Sequence, residues 1–448
     1  MFGQSEIQNE IVRRRDMREV FTFTIDPADA KDFDDAISFE AEPTPDPSLE
    51  GGEVYRIGVH IADVSFYVRP GTQIDDEAYQ RGTSVYLVDR VIPMLPEELC
   101  NDKCSLKPGE DKLCMSVVFL MDRDARVLKH KICRTVIRSD MRLDYDQAQA
   151  IIESTEDRIQ NTDQISQAIR VLNDLALKMR AERIKNGALT IEQDETRFKL
   201  DAKGNPTEIY FEKPNEAHHL IEEFMLLANR TVAKEAGSGR PFVYRVHDLP
   251  DYEKLEEIKK FKRTNGRRVQ GESMQRVIDM LTIRAQAKAV YSTYNIGHYG
   301  LAFSHYTHFT SPIRRYPDLM VHRLVEKYIL TGRRVSGDGY AMRAAREELE
   351  MMCEHCSACE QDAAQAERDS IKLFQAMWMN DQLGKVFDGH ITSIMDFGFF
   401  VQLDENHCEG LVRMELIEHP EDFVLGDPVR VQVIRVDINR AQIDFEFA

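Results

Sequence analysis

A chain of 448 residues, 42% hydrophobic and 30% charged, is long enough for more than one domain and has the balance of a globular protein. Its 77 acidic residues outweigh 58 basic ones, and the net charge of −19 excludes a broad basic surface while leaving room for a local basic channel. No apolar run approaches the roughly 20 residues that span a bilayer, and the opening MFGQSEIQNEIVRRRD lacks a secretory apolar core, so no membrane association and a cytoplasmic location are expected.

Residues 1–20 read as a leader. FTFTI then alternates phenylalanine and isoleucine against threonine, the period of a strand that ends at Asp26. DPADAKDFDD follows, with five aspartates from Asp26 to Asp35 and only Lys31 against them. Pro27 starts a turn, and the chain re-enters a strand through Phe33 to Phe39. Asp34 and Asp35 would face opposite ways on a regular strand, so a loop or bulge must bring them together. Carboxylates held close resist ionisation unless cations offset the repulsion, and oxygen-only ligands suit Mg²⁺ or Mn²⁺. An EF-hand would need a glycine that is missing here. A solvated acidic loop is the competing reading, although Phe33, Ala36 and Ile37, woven into the cluster, suit a buried site better.

EPTPDPSLEGGE, from Glu42 to Glu53, reads as a loop before VYRIGVHIADVSFYV, and residues to about 140 read as mostly β. Apolar spacing at i, i+3 and i+4 then predicts helices over QISQAIRVLNDLALKMRAERIKNG, EAHHLIEEFMLLANRTVAKEA, MQRVIDMLTIRAQAKAVY and PDLMVHRLVEKYILTG. Lys259, Lys260, Lys262, Arg263, Arg267 and Arg268 form a basic cluster, either a solvated helix end or a strand-guiding surface. In HYTHFTSPIRRYPDLMVHR, Pro312 and Pro317 hold SPIRRY out of helix, and Pro317 suits a first helical turn. Arg314 and Arg315 therefore sit just before a helix N-terminus, where phosphate can be gripped, or where arginine caps neighbouring carboxylates. Cys353, Cys356 and Cys359 lie within a helix expected from about Arg343 to Met379. With no second CxxC, their spacing favours helix packing over a metal site. Beyond Gly384, alternating short strands with glycine at the turns predict a small OB-type barrel.

TIDPADAKDFDDA, HIADVSFYV, VIPMLPEELCNDKCSL and YTHFTSPIRRYPDLMVHR, in that order, resemble the catalytic (RNB) domain of the ribonuclease II/ribonuclease R family. GHITSIMDFGFFVQL with CEGLV resembles an S1 domain, and the likeness covers about residues 15–448. It implies an α+β chain: an RNB-type mixed β-sheet and helix catalytic domain over 21–383, then an S1 barrel over 384–448. It also implies a monomeric, Mg²⁺-dependent (or Mn²⁺-dependent), processive 3′→5′ exoribonuclease that converts single-stranded RNA to nucleoside 5′-monophosphates, with no obligate protein partner. Asp26, Asp32, Asp34 and Asp35 match the family's metal-site aspartates, with Asp34 also catalytic; Asp29 matches none. Arg314 matches the arginine at the scissile end, Tyr86 the aromatic residue stacked near the terminal base, and Phe198 its counterpart farther up the channel. His308 and Arg315 are candidate RNA contacts in the same turn, and Phe397 and Phe400 match stacking positions of the barrel. Without the resemblance, Tyr86 and Phe198 would read as core.

Several departures are expected. The catalytic motifs begin almost at once, without the usual N-terminal cold-shock domains or a Lys-rich tail. The segment from Glu415 to Gly426 lacks much of the usual S1 loop and strand, the stretch after Arg268 looks short, and Arg413 stands where S1 domains often have histidine. A non-catalytic RNA-binding protein on the same scaffold is the alternative.

Overall fold

The computed structural model describes residues 4–43, 53–154, 164–190, 194–265, 271–331 and 339–448. Most of the loop expected over 42–53, together with Arg267 and Arg268, lies outside them. The centre is a seven-stranded sheet in the order Arg15–Asp16, Val127–Arg138, Asp111–Asp122, Glu53–Ala62, Asp35–Pro43, Thr22–Asp26, Met141–Asp144. Its middle pairings are antiparallel, and both outer pairs are parallel. Ile57, Val59 and Ile61 are fully buried, and so is His60, whose ring nitrogens bond Ser38 and Ser116 at 2.8 Å each. Helices Gln164–Lys185 and Glu216–Gly237 join the same core through Leu172, Leu175, Leu220, Phe224 and Leu227, at the i, i+3, i+4 spacing of their sequences.

The first residues are built into this body. The helix Gln4–Ile11 leads to Arg14, which donates to Asp63 at 2.7 Å and to the Cys114 carbonyl at 3.1 Å. Two short helices, Val64–Tyr67 and Gln73–Arg81, interrupt the region read as β; Asp63 and Thr72 cap them. The helix expected to run through Tyr291 stops at Ala285, and Val290–Ser292 pairs instead with Tyr244–Val246. Tertiary pairing wins there, because Ser357 also accepts from the Tyr291 amide.

A 42-residue helix, Gly339–Asn380, runs from the body into the second domain. Cys353 and Cys356 are buried on it, while Cys359 lies against Gly82, with its sulfur 3.4 Å from His355 Nε2. The barrel closes through all five strands, Val386–Met395, Gly398–Leu403, Glu409–Arg413, Gln442–Phe447 and Pro428–Asp437. Residues 415–426 hold only two short 3₁₀ turns among these elements, so the loop is short while the strand set is whole. Ala376 and Met379 of the long helix are part of the barrel core. Among the described residues no helix is long and apolar enough to cross a membrane.

Candidate active site

The aspartates gather where the sheet splits. Strands Thr22–Asp26 and Asp35–Pro43 pair only at Thr22–Ser38 and Phe23–Ile37. Beyond that they part: Thr24–Asp26 follows Arg142–Asp144, and Asp35 and Ala36 follow Ile61 and His60. Asp26 ends one strand, Asp35 begins the other, and Asp32 and Asp34 lie on the loop between them. This resolves how adjacent Asp34 and Asp35 share a site, because Asp34 is off the strand. Its carbonyl accepts from the Ala62 amide at 2.9 Å, and its Oδ1 accepts from the Ile313 amide at 2.9 Å.

The second stretch closes over the first. Pro317 stands in the first turn of the helix Tyr316–Val325. The turn before it places Arg314 Nε 3.6 Å from Asp34 Oδ2. The Arg314 guanidinium also donates to Ser311 at 3.0 Å, and the Ser84 amide donates to its carbonyl at 2.9 Å. Arg315 and His308, the other candidate RNA contacts of this turn, both have partners within the fold. Arg315 donates to buried Asp318 at 2.8 Å, and His308 Nδ1 shares a 2.8 Å hydrogen bond with the Tyr291 hydroxyl. Both are engaged in the wall behind Arg314, and burial holds the His308 imidazole well below the usual histidine range, with Arg315 and Arg245 adding to it.

Burial also dominates the carboxyls. It pushes Asp26 up to about 7, with Asp35 adding and Arg142 opposing. It pushes Asp35 up to about 6 against Arg314 and Arg315, raises Asp32, and holds Asp34 well above the usual range despite Arg314. Asp26 is 9% and Asp34 5% exposed, and one carboxylate oxygen of each is buried without a hydrogen-bond partner. Clustered, dehydrated oxygens with unused lone pairs fit a hard divalent cation. No three acidic, histidine or cysteine side chains among the described residues are arranged to hold an ion as they stand. Asp34 instead points its oxygens at the Ile313 amide and the Arg314 guanidinium.

Tyr86 is 40% exposed; burial raises its hydroxyl to about 12, and Arg314, Asp32 and Asp34 are among the charges it feels. Its amide donates to Glu367 of the long helix at 3.1 Å, and the Val88 amide to Ser370 at 3.1 Å. Phe198, on the hairpin Glu195–Leu200/Pro206–Glu212, packs 5.8 Å from Phe374 of that helix. Glu367 and Phe374 are two turns apart, about 10 Å, so one helix face sets the Tyr86 loop and the Phe198 hairpin, while Ala376 and Met379 of the same helix enter the barrel core. In the barrel Phe397 is 59% exposed and meets Phe400 edge to face at 6.1 Å, and Arg413 pairs with Asp444 at 3.2 Å.

Sequence reasoning missed Tyr145, Arg142, Ser105 and Glu367. Tyr145 stacks on His218 at 3.7 Å, and burial together with Asp35 and Asp26 raises its hydroxyl. A readable signal existed for it: Asp144 and Gln147 form a capping box that fixes the helix start.

A family model described as the RNB domain matches residues 14–331. The chain belongs to the RNB family. A model of the S1 RNA binding domain matches residues 380–447, giving the RNB body its barrel partner. Ribonuclease R of Aquifex aeolicus is 38% identical over 98% of the chain, which spans 65% of that relative's length. The chain thus spans less than two thirds of it. Mycoplasma genitalium RNase R, solved with ribose-methylated single-stranded RNA, superposes with a TM-score of 0.88 at 27% identity, covering 100% of this chain and 73% of that one. Yeast Ssd1, described as a pseudonuclease, shares the fold at a TM-score of 0.73 and 20% identity, with coverage of 95% and 54%.

Proposed function

We propose that this RNB chain is a processive 3′→5′ exoribonuclease, hydrolysing single-stranded RNA to nucleoside 5′-monophosphates. The observation that carries the reading is the split sheet end, where four aspartates lie beneath Arg314, with Asp34 3.6 Å from its Nε, and Tyr86 stands beside them. Mg²⁺ ions, or Mn²⁺, held by Asp26, Asp32, Asp34 and Asp35 would activate water and stabilise the leaving 3′ oxygen. Arg314 would neutralise charge on the phosphate, and its hydrogen bond to Ser311 would limit its reorientation. Tyr86 offers a stacking face for the terminal base, and Phe198 and Phe374 offer a second aromatic step, both indifferent to base identity. Exposed Phe397 suits strand capture on the barrel. Buried Asp34 and Phe33 keep bulk water from the carboxylates, which strengthens every charge interaction there.

The test is 5′-labelled single-stranded RNA with Mg²⁺, with and without EDTA. Stepwise shortening from the 3′ end that EDTA abolishes supports the reading. Binding without shortening favours the alternative, a non-catalytic RNA-binding protein on the RNB scaffold.

A further inference from the structure

The loop 27–34 crowds its carboxylates before any cation offsets them, so something else must hold its backbone. Two side chains do. Arg142, on the neighbouring strand Met141–Asp144, donates to the Pro27 carbonyl at 2.6 Å and the Ala28 carbonyl at 2.9 Å. Its guanidinium lies 5.1 Å from the centre of the Phe33 ring, so one group meets both the start of the bend and Phe33 near its end. Its charge also opposes the rise of the Asp26 carboxyl. At the other end Ser105, fully buried, accepts from the Phe33 amide at 3.0 Å and donates to the Lys31 carbonyl at 2.8 Å. The Leu106 amide adds a bond to the Phe33 carbonyl at 3.0 Å. Ser105 belongs to the NDKCSL stretch, which the catalytic reading gave no role.

We infer that Arg142 and Ser105 are positioning residues that brace the aspartate loop from its two ends, holding the backbone of Asp26, Asp32 and Asp34 where side-chain rotation alone completes a divalent-cation site. The inference rests on the metal-dependent reading of these aspartates. Neither residue is placed to touch RNA or the reacting atoms; each acts through the backbone. Without the brace, a cation must restrain the loop as well as the side chains, so the loss falls on cation affinity. Residues that orient metal ligands typically contribute about 10–100-fold in metal affinity or activity.

The experiment uses the full chain. Mn²⁺ binding is measured by calorimetry without RNA for the wild type, Ser105→Ala, Arg142→Lys and Arg142→Met, beside RNA shortening across a Mg²⁺ titration. Ser105→Ala and Arg142→Met are expected to raise the Mn²⁺ dissociation constant by about tenfold or more. They should raise the Mg²⁺ needed for half-maximal shortening in proportion, with the rate recovering at high Mg²⁺. Arg142→Lys keeps the charge and a nitrogen that can donate, as Nη2 does to both carbonyls, but loses the planar group against Phe33, and should fall between them and the wild type. If Arg142→Met does not fold, Ser105→Ala and Arg142→Lys still decide. Unchanged Mn²⁺ affinity in those two overturns the brace, as does a loss of shortening that Mg²⁺ does not recover. A wild type that binds Mn²⁺ but shortens no RNA refutes the exonuclease reading alone, and the brace is then judged on Mn²⁺ affinity.

Discussion

Deprotonating the aspartate site without metal should weaken the fold, and Asp26 shows by how much. Its carboxyl ionises at about 7 in the folded chain against an ordinary 3.8. Below pH 3.8 it is protonated folded or unfolded. As pH rises through about 7, the unfolded state has already released the proton and the folded state must follow against burial and Asp35. Stability is therefore lost between about pH 4 and 7. The interval corresponds to about 4 kcal/mol at about 1.36 kcal/mol per pH unit. Asp26→Asn cannot ionise and escapes this loss, of which about 2 kcal/mol, or about 2 °C in Tm for a chain of this size, falls between about pH 5.5 and 7. His60 and His298 run the other way: burial holds both near about 3, so they add stability as pH climbs towards 6.5. A difference measurement cancels them. Wild type and Asp26→Asn are unfolded thermally in EDTA at pH 5.5 and pH 8, then again with Mg²⁺. The wild type should lose about 2 °C relative to Asp26→Asn on going to pH 8, and Mg²⁺ should restore it more at pH 8, where no proton competes. Parallel pH curves for the two proteins, or equal Mg²⁺ stabilisation at both pH values, would refute the argument.

Asp34→Asn keeps an acceptor for the Ile313 amide but loses a charge; cleavage should fall by orders of magnitude while RNA affinity, measured with Ca²⁺ in place of Mg²⁺, stays close to wild type. Joint loss of binding and cleavage would make Asp34 structural. Gly82→Ala puts a methyl carbon 2.6 Å from Cys359 Cβ at a φ of +67°, so it should cost about 1 kcal/mol or more and displace the loop that carries Tyr86; an unchanged Tm and an unchanged shortening rate would contradict this. Phe397→Ala should weaken RNA binding with little effect on single-turnover cleavage, measured by filter binding and rapid quench. It is a cleaner probe than removing 384–448, which would strip cover from Ala376 and Met379.

The aspartates and the two arginines could be named from the chain alone, because their chemistry is local: repelling carboxylates ask for a cation, and Pro312 and Pro317 keep SPIRRY out of helix; the aromatics came only with the family resemblance. Strand and helix periods were equally local, and so were the cysteine positions along one helix. What the partners are was not local. Asp34 meets Ile313 and Arg314 across some 280 positions, Ser105 reaches Phe33, and Tyr86 hangs from Glu367. Sequence spacing carries no record of such encounters, since they follow from where the sheet splits and where a 42-residue helix is laid against it. The same packing decided the partners of Arg315 and His308. Polar and apt for RNA by type, both bond within the fold, to Asp318 and Tyr291, because folding buries them and an unpaired polar group in the interior is costly.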